Sequence, residues 1–184
     1  MDYFRTQYEK CYEQDEYYWG LEPADFLDDL LVASGKNSMD LRVLDIGCGE
    51  GKDAVYMAEK GCLVTAFDIT ESGIRKMKTL ADKRGVKIDA FVADVNNFDV
   101  KGEFDIVFST GTVQYLSHDR IGWFFSKVKN LTKFGGLVYF NVFVEKPFLD
   151  LPPDWDKEEK MWKTGDLFSH FDDWKIRKID EVIF

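Results

Sequence analysis

Cysteine is sparse: Cys11, Cys48 and Cys62 are the only three in 184 residues. Their odd number and the lack of a C-x-x-C pair exclude a disulfide framework and a structural zinc site, and point to free thiols with no metal. Basic charge is also short. Against 34 Asp and Glu stand 24 Lys and Arg, a net charge of -10 and a pI near 4.7. Binding to a phosphate backbone rests on clustered Lys and Arg, so nucleic acid is not an expected partner. The one short basic cluster, Arg75-Lys76-Lys78, reads as the solvated face of a helix whose apolar face carries Ile74, Met77 and Ala81. No apolar run is long enough to cross a bilayer, and Met1-Asp2-Tyr3-Phe4-Arg5 is not the basic region of a leader. A cytoplasmic location without membrane attachment is the expectation. Histidine is scarcer still, which restricts imidazole chemistry to His118 and His170.

What is present is an ordinary globular composition, 45% hydrophobic and 32% charged, in a length suited to one domain. The expected layout is a single domain over 1–184, with N-terminal helices and a lid in 1–36 and an α/β core in 37–184. Short apolar runs alternate with amphipathic stretches from residue 41 onward, the pattern of a parallel sheet covered by helices on both faces. Strands are predicted at Leu41–Ile46, Leu63–Asp68, Ile88–Ala93, Phe104–Ser109, Leu137–Val144 and Trp174–Phe184. Helices are predicted near Lys52–Lys60, Glu71–Arg84, His118–Leu131 and Asp166–Phe171, with Gly61 and Gly85 closing the first two and Ser117 capping the third. Phe4, Tyr8 and Tyr12 recur at helical spacing, and a second helical face follows Pro23 at Phe26, Leu27, Leu30 and Leu31. The aromatic stripe of the first helix reads as core. The stretch from Pro147 to Pro153 reads as an insertion between strand and helix, a candidate lid.

The densest chemical signal is Asp45-Ile46-Gly47-Cys48-Gly49-Glu50-Gly51, directly after the hydrophobic Val43-Leu44. Glycine accepts positive φ and has no Cβ, so this turn can bend sharply and let a ligand lie against its backbone. The G-x-G-x-G spacing differs from the G-x-G-x-x-G of dinucleotide folds, and the leading carboxylate suits a cationic ligand better than a phosphate. A nicotinamide oxidoreductase is therefore the weaker alternative. Ligands of open α/β sheets bind beyond the carboxyl ends of the strands, which brings further candidates together. Asp68, with Ile69 after it, can accept from ribose hydroxyls; Asp94 can accept from an adenine amino group while Val95 packs on the ring. Ser109-Thr110-Gly111, continuing to Tyr115, are small residues that leave open space at the end of the fourth strand. His118 is the candidate for a catalytic base, with His170 behind it, against the plainer reading of His118 as a surface histidine at a helix start; Tyr115 is a further catalytic candidate.

The D-x-G-x-G-x-G pattern resembles motif I of the class I S-adenosylmethionine-dependent methyltransferases. With it, Asp94–Phe98, Phe104–Thr110, Gly135-Gly136, Trp162–Phe168 and Asp173–Ile176 resemble the tellurite-resistance (TehB-like) branch of that family, over roughly residues 18–184. The resemblance implies a doubly wound, mostly parallel Rossmann-like sheet, S-adenosylmethionine as cofactor, and transfer to a soft nucleophile such as a thiol, selenium or tellurium compound. It also implies that Trp19, within Tyr17-Tyr18-Trp19-Gly20, lies across the cofactor, where the plainer reading is a staple between two helices. The chain departs from the family in having no room for a seventh, antiparallel strand and no Pro-containing motif after the fourth. The alternative reading is a noncatalytic cofactor-binding or scaffold protein that keeps the fold. The acceptor's identity and the oligomeric state are not legible.

Overall fold

The computed structural model describes residues 2–148 and 161–181. Five strands, β1 (Arg42–Ile46), β2 (Leu63–Asp68), β3 (Ile88–Val92), β4 (Phe104–Thr110) and β5 (Thr132–Asn141), form one sheet in the order β3-β2-β1-β4-β5. Every pairing is parallel. The expected doubly wound α/β fold is therefore present. Val43, Leu44 and Ile46 are all fully buried, as a central parallel strand covered on both faces must be.

One face packs on α2 (Phe26–Ser34), α3 (Lys52–Glu59) and α4 (Glu71–Arg84) through Leu27, Met57, Met77 and Leu80. The other packs on α5 (Ile121–Leu131) through Phe124, Phe125 and Val128, joined by Trp162 and Phe171 from the chain after β5. Local signals agree with these boundaries. Thr70 caps α4 by accepting from the Gly73 N–H at 3.3 Å, and Gly85 closes it at φ 70°. α1 (Asp2–Tyr12) confirms the helix expected from the Phe4, Tyr8 and Tyr12 spacing. Among the described residues no helix is long and apolar enough to cross a membrane.

Three expectations are corrected. Residues 174–181 do not form the sixth strand. Arg177 donates to the Ala33 carbonyl of α2 at 3.0 Å, and Lys178 pairs with Asp29, so polar contacts to a helix hold this segment instead of a backbone ladder with β5. The remaining positions of that predicted strand, 182–184, lie outside the described residues, as does the predicted insertion from 149 onward. β5 begins five residues before the predicted Leu137 and ends at Asn141, because Thr132 already pairs with Phe104 across an irregularity in β4. Ser117 does not cap α5; its N–H and hydroxyl both donate to Asn96 Oδ1, at 2.7 and 3.1 Å, and a short 3-10 turn (His118–Arg120) precedes the helix.

Candidate active site

The strand order reverses between β1 and β4, so the segments leaving their carboxyl ends diverge around a crevice. The glycine loop leaves β1, and the turn from Gly111 to Ser117 leaves β4. The Thr112 hydroxyl donates to the Gly47 carbonyl at 3.3 Å and joins them. Gly47, Gly49 and Gly51 have φ values of 74°, 52° and 86°, a region that L side chains rarely occupy. Space forbids a side chain as firmly at two of them: a Cβ on Gly47 would meet Thr112 Oγ1 at 2.1 Å, and one on Gly51 would meet Met77 Cγ at 2.2 Å.

The hydrogen bonds of the loop discriminate between ligand classes. The N–H groups of Gly47 and Cys48 both donate to the Phe67 carbonyl at 2.9 and 3.0 Å, Gly51 donates to the Cys48 carbonyl at 2.9 Å, and Gly49 donates to Asp68 Oδ2 at 2.9 Å. A pyrophosphate needs such donors turned outward. Here they are consumed internally, and the surroundings are acidic. Asp45 is 2% exposed, and its Oδ2 has no hydrogen-bond partner among the described residues. Burial, then the neighbouring charges of Asp53 and Asp68, push the Asp45 carboxyl well above its usual range. Burial also raises Asp53, although its Oδ1 accepts from the Ala24 N–H at 2.9 Å. A buried anionic site with an orphaned oxygen favours a cationic ligand, such as an ammonium or sulfonium.

The other predicted residues divide by position. Asp68 is 8% exposed, and besides Gly49 it holds the Thr70 N–H at 2.9 Å and hydroxyl at 2.6 Å. Burial nevertheless raises its pKa above the ordinary value, against those hydrogen bonds. Ile69 is half-buried beside it. Asp94 is turned into its own loop, its Oδ1 accepting from the Asn96 N–H at 2.7 Å, and Val95 is buried in the α5-side core. Ser109 is fully buried, and its hydroxyl donates to the Ile46 carbonyl at 2.8 Å. Thr110 and Gly111 are half-buried at the crevice. His118 is exposed and has no hydrogen bond to any of these groups among the described residues. Tyr115 is drawn in: its hydroxyl lies 2.6 Å from that of Tyr8, and the Phe4 ring lies against its ring at a tilt of 50°, centroids 4.7 Å apart.

Sequence reasoning missed how the N-terminal segment is fastened over the loop. Trp19 donates its ring N–H to Tyr12 Oη at 2.8 Å and its backbone N–H to Glu50 Oε2 at 3.2 Å. Glu50, 2% exposed, is paired with Lys76 at 2.7 Å. Lys76 is thus an interior strut, not part of a solvated face. Glu9 accepts from the Glu71 and Ser72 N–H groups at 2.6 and 3.1 Å, capping α4 from α1. A Cβ on Gly49 would lie 3.1 Å from Tyr12 Oη and 3.6 Å from Trp19 Cδ1, so these rings rest directly on the loop. The aromatic stripe of α1 is consequently a roof over the crevice, apart from both sheet-facing cores. Only its four-residue spacing was visible in the sequence.

Comparison with known proteins agrees with this geometry. The family model for a methyltransferase domain matches residues 43–136. The "Probable S-adenosyl-L-methionine-dependent methyltransferase TehB" of Haemophilus influenzae is 24% identical over 151 residues, covering 82% of this chain and 52% of that protein. The crystal structure of TehB from Haemophilus influenzae superposes with a TM-score of 0.73 at 23% identity, over 84% of this chain and 53% of that one. A structure described as "Conversion of a Disulfide Bond into a Thioacetal Group during Echinomycin Biosynthesis" gives 0.74 at 22% identity, over 98% of this chain and 82% of that one. The chain spans about half the length of the TehB proteins it matches. With the switch-point glycine loop, its inward-turned N–H groups and the buried carboxylate beneath it, the chain belongs to the methyltransferase domain family, and it shares the fold of TehB.

Proposed function

We propose that this chain methylates a small soft nucleophile, a thiol or a selenium or tellurium compound, as a single cytoplasmic domain. The carrying observation is the orphaned, buried Asp45 carboxylate beneath a loop whose N–H groups face inward. When bound, S-adenosylmethionine supplies a methyl group on a positively charged sulfur, open to in-line attack by an acceptor lone pair. Asp45, Gly47, Cys48, Gly49 and Gly51 cradle its methionine end. Asp68 and Ile69 hold the ribose; an ionised carboxylate has about four lone-pair sites, so three protein donors leave one for a hydroxyl. Asp94 and the backbone of Val95 face the adenine. Ser109, by tying β4 to β1, keeps Thr110 and Gly111 at a fixed distance from the loop, and Trp19 covers the cofactor and excludes water.

The chain's task is then mainly alignment, since a soft lone pair or thiolate needs no dedicated base. An exposed His118 accords with that. The sulfur chemistry named for one structural neighbour supports the same reading. Release of S-adenosylhomocysteine from S-adenosylmethionine is the test, run with thiols, selenite, tellurite, and simple amines and alcohols against enzyme-free controls. Turnover confined to sulfur, selenium or tellurium compounds is expected. Turnover confined to amines or alcohols would refute the acceptor class, and tight S-adenosylmethionine binding without any turnover would favour a noncatalytic binding protein.

A further inference from the structure

The turn after β4 contains a buried polar group that neither core nor cofactor cradle uses. Gln114 is 3% exposed, and its Oε1 has no hydrogen-bond partner among the described residues. Its amide lies beside Gly111, where a Cβ would stand 3.8 Å from Nε2. The turn is firmly held, because Asn96 donates to the Tyr115 carbonyl at 3.1 Å and Val113 and Leu116 are buried in the α5-side core. A buried carbonyl oxygen that cannot relax toward a protein donor is unfavourable unless a ligand supplies one.

A buried carboxylate lies at the same end of the sheet. Asp45 is the register partner of Phe108, two residues before β4 ends and the turn begins. Three cations near the turn are engaged elsewhere: Lys76 by Glu50, Arg5 by Glu71, and Arg120 by the Asn96 carbonyl at 2.7 Å and the Trp123 ring. An oxyanion at the turn would meet the unpaired Gln114 oxygen, an acceptor like itself, with these three cations turned to other partners.

We infer that Gln114 selects the acceptor: a small neutral or cationic molecule carrying a hydrogen-bond donor close to its nucleophilic atom, with anionic acceptors disfavoured. This rests on the methyl-transfer reading above and narrows its substrate class, placing neutral or aminated thiols ahead of oxyanions such as tellurite.

A matched series of thiols tests it: 2-mercaptoethanol, cysteamine, ethanethiol and mercaptoacetate, compared at equal thiolate concentration by release of S-adenosylhomocysteine. Cysteamine and 2-mercaptoethanol are expected to exceed ethanethiol and mercaptoacetate in kcat/KM by about tenfold or more. Gln114→Leu should abolish the advantage of 2-mercaptoethanol over ethanethiol by raising KM, and Gln114→Glu should retain the preference for cysteamine. A preference for mercaptoacetate, or an unchanged order in Gln114→Leu, would overturn the assignment. If no thiol is turned over, the side-chain amide signals of Gln114 in 1H–15N spectra of the S-adenosylhomocysteine-loaded protein give the answer. They should move with cysteamine and not with mercaptoacetate; no movement with cysteamine overturns the inference. Calorimetry with S-adenosylhomocysteine separates the failures. Absent binding by the wild-type protein would remove the cofactor reading and this inference with it, and retained binding by Gln114→Leu shows that the variant's fold and cradle are intact.

Discussion

At the scale of single residues, the loop glycines are alike in sequence and unlike in consequence. At Gly51 a Cβ would collide with fully buried Met77 on α4, whereas at Gly49 the nearest neighbours are the ring ends of Tyr12 and Trp19. Gly51→Ala should therefore lower the free energy of urea unfolding by about 2–4 kcal/mol, combining positive-φ strain with overpacking. Gly49→Ala should cost only ~1–2 kcal/mol from φ while displacing the roof and weakening S-adenosylmethionine binding. Equal stability losses in the two variants would contradict this packing. Asp45 makes a pH-dependent prediction. Its pKa is raised in the folded state, so its contribution to stability is intact below the ordinary carboxylate range and is lost as pH rises through the folded value. Asp45→Asn should accordingly stabilise the ligand-free protein at pH 8, with the gain fading toward pH 4. The same change should weaken cofactor binding by roughly tenfold to a hundredfold, as expected when a charged hydrogen bond of about 1.5–3 kcal/mol is removed. Denaturation at the two pH values and calorimetry at pH 8 check both signs.

Secondary-structure elements are joined at the amino end of the sheet by a different carboxylate. Asp105 on β4, 3% exposed, accepts from Lys36 after α2 at 2.5 Å, from Lys133 on β5 at 2.7 Å and from the Arg42 N–H of β1 at 2.9 Å. Burial pushes its carboxyl up, but these hydrogen bonds prevail and hold it well below the usual range. A lowered folded pKa contributes stability above the unfolded value that is lost as pH falls through the folded one. Asp105→Asn should cost about 2 kcal/mol at pH 7, with the difference shrinking as pH falls below about 4. A penalty independent of pH would mean that shape, not charge, joins these strands. At the opposite end, α1 and residues 13–20 are fastened to α4 and the glycine loop by polar contacts through Glu9, Tyr12, Trp19 and Glu50. The proposed cofactor site and its roof thus lie at one end of the sheet, and the strand-joining Asp105 at the other.

For the whole molecule, the cofactor reading predicts ligand-linked stability. S-adenosylhomocysteine at about 100 times its Kd should stabilise the folded state by ~2.7 kcal/mol, and a chain of this size should gain roughly 5–10 °C in Tm. NADH should leave Tm unchanged, because the Gly47, Cys48, Gly49 and Gly51 N–H groups that would hold its pyrophosphate are already engaged within the protein. A shift with NADH and none with S-adenosylhomocysteine would reverse the assignment of the cradle. The net charge of -10 adds a kinetic consequence: a cationic ligand approaches an anionic protein, so its association rate should fall as salt is raised.

The sequence by itself determined the parallel α/β class, four of the five strands nearly to the residue, and the position of the glycine turn after β1. Alternation of apolar runs, capping residues and φ-permissive glycines are local properties that short stretches carry whole. β5 and residues 174–181 were misread because the start of one and the absence of strand in the other depend on partners distant in sequence, Phe104 for Thr132 and Ala33 for Arg177. Lys76 looked like solvated charge for the same reason, since Glu50 lies 26 positions away on another element. Whether Asp68 faces ligand or loop, whether the stripe of α1 is core or roof, and that Gln114 is buried with an unpaired oxygen were decided by tertiary packing alone. Those properties belong to the spatial meeting of chain segments, and no local pattern of residue types encodes which atoms find partners when the segments meet.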